Sequence, residues 1–310
     1  MSCSQDEAPQ QTESRPVVLK AEIFSFNSNV PTIWAGGQSV GVYMLKSGTM
    51  DVADGYANVE YLADNRGSTG YLVPANNVPI YLPADGSRVD FRVYYPYDKA
   101  VQTRAVRTHT TEVTVDGKTK EDAFLYSQNS RAVSYNYNQS TVQIKSMLSV
   151  IKMDVHCDVS DAYTLSATIR NTATRAVFDL LEGRFVKREV LEDTPIVLDV
   201  TKQEDGDQLN FSVQATLLSG EVEEDAVIEI AVQNSQGEVV KSYEPAPLNE
   251  VMDLAQEEGA EENTRYEVDV QLNENSDQIT TQVTAKTQIV ILNWTGGGDD
   301  AQTGVARPTD

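Results

Sequence analysis

STVQIKSMLSVIKMDVHCDV, Ser140–Val159, is the longest apolar run in the chain, and it carries two period-two patterns that are out of step. Val142, Ile144, Leu148 and Val150 keep one phase, while Ile151, Met153 and Val155 keep the other. Successive side chains of a strand point to opposite faces, so a one-residue slip moves the whole apolar set across the ribbon. Such a slip needs a bulge or a bend. A strand that changes its buried face midway can leave one packed sheet and enter another. The stretch therefore predicts two β units, with a boundary near residue 156.

Working outward, the same period recurs on both sides. Val89, Phe91, Val93 and Tyr95 alternate with Arg88, Asp90, Arg92 and Tyr94. Leu209, Phe211, Val213, Ala215 and Leu217 form one set, and Tyr266, Val268, Val270 and Leu272 another. These read as strands with one dry and one wet face. Val17–Phe26, Val40–Lys46, Asn58–Leu62, Thr110–Val115, Tyr163–Arg170, Arg184–Val190, Ile196–Val200, Val227–Gln233, Glu238–Tyr243 and Thr280–Trp294 are further candidates, with Gly- and Asp-rich turns between strands. Many short strands punctuated in this way define sandwiches or barrels. PLNEVMDLAQ, from Pro247, is the one segment whose spacing predicts a helix.

The chain of 310 residues suits about two domains. With 24 Lys+Arg against 47 Asp+Glu, the formal charge is −23, which argues against nucleic acid as a partner. Two cysteines form no disulfide framework, and no run of eighteen apolar residues is present to cross a membrane as a helix. The amino-terminal residues have no apolar signal segment, so the expectation is a chain from which one has been trimmed.

Groups that carry chemistry are sparse. His156 adjoins Cys157, but neighbours in a strand diverge, which disfavours a Cys–His nucleophile. His109 lies in RAVRTHTTEV and reads as a solvated loop or strand residue. Asp253, Glu257, Glu258, Glu261 and Glu262 lack the alternating ligand pattern of a calcium loop. GGQSVG at Gly36–Gly41 has no following Lys-Ser/Thr and reads as a turn. Tyr94, Tyr95, Tyr97 and Tyr126 fit cross-strand packing, whereas Tyr135 and Tyr137 in SYNYNQ are the candidate exposed pair. The expectation is a protein that is not an enzyme and uses no cofactor or metal.

Several stretches, taken in order, resemble the fimbrillins, subunits of type V pili. They are IWAGGQSVGVYML (Ile33–Leu45), GYLVPANNVPIYLPADGSRVDFRVYYPYD (Gly70–Asp98), DAFLYS (Asp122–Ser127), the central run, and RYEVDVQLNENSDQITTQVTAKTQIVILNW (Arg265–Trp294). The resemblance implies an all-β chain of two tandem transthyretin-like, Greek-key β-sandwich domains. It would comprise a tether at 1–16, an N-terminal domain at 17–156, a C-terminal domain at 157–295 and a tail at 296–310. It also implies an outer-membrane lipoprotein at the cell surface or in the fimbrium. Cys3, followed by Ser and then acids, resembles a surface-lipoprotein export signal and is the candidate lipidation site, with an acyl anchor as the membrane contact.

In that family a protease removes an N-terminal strand, and the groove accepts a C-terminal strand of the next subunit, a case of β-strand addition. Here the resemblance makes Leu19, Ala21 and Ile23 the inner face of the removable strand. It makes Val283, Ala285, Ile289, Ile291 and Trp294 the donor plugs. Family processing follows Arg or Lys: Arg15 precedes Pro16, Lys20 lies within a strand, and Lys46 is the candidate cut. The implied partners are other fimbrillin subunits, in a homo- or hetero-polymer, and host or bacterial surface glycans or proteins. A stalk subunit and a tip or accessory adhesin stay open, since only a polar tail follows Trp294. The alternative is a monomeric glycan-binding surface lipoprotein that uses exposed tyrosines.

Overall fold

The computed structural model describes residues 14–23, 33–34, 36–64, 70–103, 109–157, 163–191, 194–205, 208–255, 259–273, 275–289 and 293–294. The longer strands of the first half are β1 Val18–Ile23, β2 Ser39–Lys46, β3 Val59–Asp64, β4 Gly70–Pro74, β5 Val89–Tyr95, β6 Thr110–Thr114, β7 Leu125–Ser127 and β8 Gln139–Ser146. The second half has β9 Leu148–Cys157, β10 Thr164–Arg170, β11 Arg175–Asp179, β12 Arg184–Glu189 and β13 Asp199–Asp205. It continues with β14 Gln208–Leu218, β15 Val227–Gln233, β16 Val239–Ser242, β17 Thr264–Leu272 and β18 Ile279–Gln288. The fold is all-β.

β7, β8, β1, β4, β3, β2 and β5 are hydrogen-bonded in that order, and β5 returns to β7. The ring closes because three-residue β7 pairs with β8 on one side and β5 on the other. A closed ring differs from an open two-sheet sandwich in that each of its seven strands has a ladder partner on both sides. A five-stranded sheet, β13–β14–β9–β17–β18, packs in the second half with a sheet made of Ile196–Val197, β10, β15 and β16. β6, from the first half, pairs with β11 to form the three-stranded sheet β12–β11–β6, so the two halves share hydrogen bonds.

The central run carries the chain from one core to the other. β8 ends at Ser146 and β9 starts at Leu148, with Met147 at the break. Ser146 stabilises the bend: its hydroxyl donates to the Glu121 carbonyl at 2.6 Å and accepts the Leu148 amide at 3.1 Å. Val142, Ile144 and Val150 belong to the barrel core, while Leu148, Ile151, Met153 and Val155 belong to the second core. Leu148 thus parts from Val142, Ile144 and Val150, its predicted set. Val150 and Ile151, on opposite phases, are both buried, since β9 is covered on both faces where the cores meet.

Two local expectations are corrected. β5 has no wet face: Asp90, Arg92 and Tyr94 are buried along with Val89, Phe91, Val93 and Tyr95. Its outer side is covered by the 47–48 and 132 turns and by the 181 loop. Asp90 accepts bonds from Ser47 Oγ, the Gly48 amide and the Ala132 amide, and Arg92 Nε donates to the Leu181 carbonyl. The helix predicted from Pro247 is only Leu248–Val251, a single turn. Asp253, with a positive φ of 50°, turns the chain away directly after it, and Leu248, Val251 and Met252 fill the second core.

Candidate assembly groove

β1 is an interior strand of the barrel. All six of its residues pair in parallel with β8, from Val18 opposite Gln139 to Ile23 opposite Ile144. On its other side Leu19, Lys20 and Ala21 pair antiparallel with Leu72, Tyr71 and Gly70 of β4. The alternation of VLKAEI directs Leu19 and Ala21 inward, where they are 1% and 0% exposed, while Glu22 faces solvent. Val17, just before the strand, is also buried, and its amide bonds the Ile80 carbonyl at 3.0 Å. Fully burying a Val or Leu side chain contributes about 1.5–3 kcal/mol. A barrel without β1 would therefore present an apolar trough between two unpaired ladders, those of β8 and β4.

The start of β1 is tied down as well. Arg15–Pro16 pairs with Tyr81–Leu82. Arg15 Nη1 donates to the Tyr135 carbonyl at 2.7 Å, and its guanidinium lies 5.8 Å from the Tyr135 ring centre. Asn138 Nδ2 donates to the Pro16 carbonyl at 2.9 Å. Tyr61 lines the same core; its hydroxyl accepts the Ile80 amide at 2.8 Å, and burial pushes its pKa up.

At the other terminus, β18 is an edge strand that pairs only with β17, from Thr264 opposite Gln288 to Leu272 opposite Ile279. A register shift between Glu267 and Val268 leaves Thr284 bulged, its hydroxyl donating to the Glu267 carbonyl at 3.1 Å. Ile279, Thr281, Val283 and Ala285 are half-buried, and Val283 packs against the second core. Ile289 behaves differently: it is 0% exposed and belongs to the barrel core with Leu19 and Ala21. The structure thus brings three of the predicted groove and plug residues into one cluster and leaves Val283 in another. Asn293–Trp294 forms a parallel backbone bridge to Ile33–Trp34. Ile291, the Trp294 side chain, the Ile23 side chain and Cys3 lie outside the described residues.

Lys46 is the exposed last residue of β2, and the turn after it is closed by the Thr49 amide on the Lys46 carbonyl. No Lys or Arg occurs between Lys20 and Lys46. A cut after Lys46 therefore severs β1 only together with β2, which is bonded to β3 and β5.

The polar candidates are dispersed. His156 sits on the outer face of β9, with Nδ1 2.8 Å from Asn210 Oδ1 and Nε2 3.3 Å from Asp269 Oδ1. Cys157 points to the opposite face, into the second core. His109 is not a solvated residue: it is half-buried, and its ring meets Tyr43 edge-on at 5.6 Å. Among the described residues no group of three His, Cys, Asp or Glu is placed to hold a metal. Glu262 is ion-paired with Lys145. Tyr94 and Tyr126 are core residues whose hydroxyls bond Asn58 and the Leu180 carbonyl. Of the pair expected to be exposed, Tyr137 is 80% exposed but Tyr135 is half-buried, with the Arg15 guanidinium over its ring. The reach of Ile289 into the barrel was missed by sequence reasoning, since period two places it in line with Val283 and Ala285.

The model of the fimbrillin-like family matches residues 26–294, and the chain belongs to that family. A curated Bacteroides uniformis protein, "Putative fimbrium subunit Fim1C", is 27% identical over 198 residues, covering 58% of this chain and 61% of that protein. The matched region therefore spans about three-fifths of that relative's length. Two crystal structures share the fold, each of a "putative cell adhesion protein". The one from Bacteroides uniformis has a TM-score of 0.63 at 19% identity, covering 89% of this chain and 98% of that one. The one from Bacteroides ovatus has a TM-score of 0.62 at 16% identity, covering 90% and 99%.

Proposed function

We propose that this chain is a subunit of a surface fimbrium, a type V pilus, assembled by strand exchange. β1 is removed by proteolysis, and a C-terminal strand of the next subunit fills the vacated place. The observation that carries this reading is the position of β1. It is the first long strand described, it lies inside the ring, and its core residues Val17, Leu19 and Ala21 would leave a continuous apolar trough. Main-chain bonds to β8 and β4 would supply affinity, and alternate side chains would supply register. β18, an edge strand with one half-buried face, is the segment suited to move.

In this reading the chain has two units that meet at the β8–β9 bend. Cys3 carries an acyl anchor at the outer membrane, at least until processing. The partners are further fimbrial subunits, in a stalk or at a tip. The test is a site for a sequence-specific protease placed between residues 24 and 32, followed by cleavage of the folded protein. Ladders that resist mild denaturation support strand exchange; monomer that persists after β1 is cut free overturns a stalk role. A second reading, a monomeric glycan-binding lipoprotein, is favoured by the exposure of Tyr137 beside Tyr135. Glycan binding lost on Tyr137→Ala, without polymer after cleavage, would select it.

A further inference from the structure

We infer that the C-terminal segment is a latch that holds β18 on its own chain until β1 leaves. This rests on the reading of β18 as the strand that moves. Three observations converge. Along β18 no side chain is fully buried, so the strand itself is lightly held. The next residue, Ile289, is 0% exposed and sits in the barrel core, in the cluster that contains Leu19 and Ala21 of β1. Its amide donates to the Asn263 carbonyl at 2.8 Å, and the Asn263 amide donates to the Leu148 carbonyl at 2.9 Å, at the bend between the cores. Further on, Asn293–Trp294 pairs with Ile33–Trp34, part of the connection from β1 to β2.

The Ile289 amide extends the β17–β18 ladder by one rung, but its side chain is held by the barrel core, and Asn293–Trp294 is held by the chain that leads out of β1. A core side chain is held only as well as its neighbours pack around it. Leu19 and Ala21 line the same core as Ile289, so loss of β1 strips packing from the core that holds Ile289. Coupling between two sites is reciprocal, so freeing Ile289 loosens β1 as well. The acceptor groove and the donor strand become available together, and the uncut subunit offers neither.

Hydrogen exchange on the full-length protein tests this. Ile289→Asn should speed exchange of the 279–288 amides about tenfold or more while β14, in the same sheet, is unchanged. Ile289→Val should restore protection. Leu19→Ala, in a different sheet, should speed the same amides by a smaller factor. Unchanged exchange of 279–288 in Ile289→Asn overturns the latch. Should that variant not fold, Ile289→Ala gives the same readout, and unchanged exchange there overturns it equally. Cleavage between residues 24 and 32 separates this inference from the function on which it rests. Ladders without faster exchange at 279–288 in the cleaved monomer overturn the latch and leave strand exchange standing. Faster exchange without ladders supports the latch and overturns a stalk role.

Discussion

β1 and β18 are both terminal strands of alternating sequence, yet the fold treats them in opposite ways. β1 is short, flanked by partners on both sides, and its inward residues Leu19 and Ala21 are fully buried. β18 is longer, has one partner and buries nothing completely. Length and alternation do not set how firmly a strand is held. The number of ladders it joins and the depth of the core it reaches do. The strand proposed to be discarded is the integral one, and the strand proposed to travel is the peripheral one.

The largest expected effect sharpens this contrast. Leu19→Ala should lower unfolding stability by about 3 kcal/mol in urea titrations, as a buried Leu that leaves a cavity does. Val283→Ala, on the half-buried face of β18, should lower it by about 1 kcal/mol or less. Equal losses would break the comparison.

The barrel also carries an acid-sensitive clamp beside β2 and β5. Burial of Asp90 works against its charge, but the bonds from the Gly48 and Ala132 amides and from Ser47, with Arg92 nearby, hold the carboxyl below the usual carboxylate range. A carboxyl depressed by folding contributes full stability above its unfolded pKa, about 3.9, and loses it as pH falls through the lower folded value. Asp90→Asn should therefore cost about 1–2 kcal/mol at pH 7 and flatten the stability loss below about pH 4. An unaltered acid limb would show that the clamp carries no charge-dependent stability.

Asp122 has the opposite sign. Burial, then the nearby Glu121 charge, raises its pKa, and its Oδ1 has no hydrogen-bond partner. Its share of stability is complete below the unfolded pKa and is lost as pH rises through the raised folded value. Asp122→Asn should stabilise the protein at pH 7 by about 1 kcal/mol, read as a higher thermal midpoint. A lower midpoint would assign Asp122 a bond that only the charged form makes. The smallest effect belongs to Tyr137→Ala: at 80% exposure it should shift stability by no more than about 0.5 kcal/mol. A larger loss would make Tyr137 a packing residue rather than a surface one.

Much of this was legible in the sequence, and the gaps have physical causes. Val227–Gln233 alternates cleanly because one face is buried and the other half-exposed, whereas the strand through Phe211 keeps its predicted wet face only to Gln214, since Ala215–Ser219 are all buried. The slip in the central run marked the passage between cores because a ribbon must bend to bury both sets. β5 misled because Asp90 and Arg92 look like solvent residues until hydrogen bonds from distant turns cover them. β11, RAVFD, has too little alternation to stand out, and its strand identity comes from β6, some sixty residues away. The burial of Leu19 and Ala21 was readable from the alternation of VLKAEI. The depth of Ile289 was not, since period two reports which face a residue takes but not which core lies beneath it.

The parallel ladder between β1 and β8 also sets the orientation of the molecule. Because the two strands run the same way, the chain ahead of β1 leaves the barrel at the start of β8, where Arg15 rests on Tyr135 and Asn138 caps Pro16. The segment that enters β1 and the Tyr135–Asn138 turn therefore share one end of the barrel.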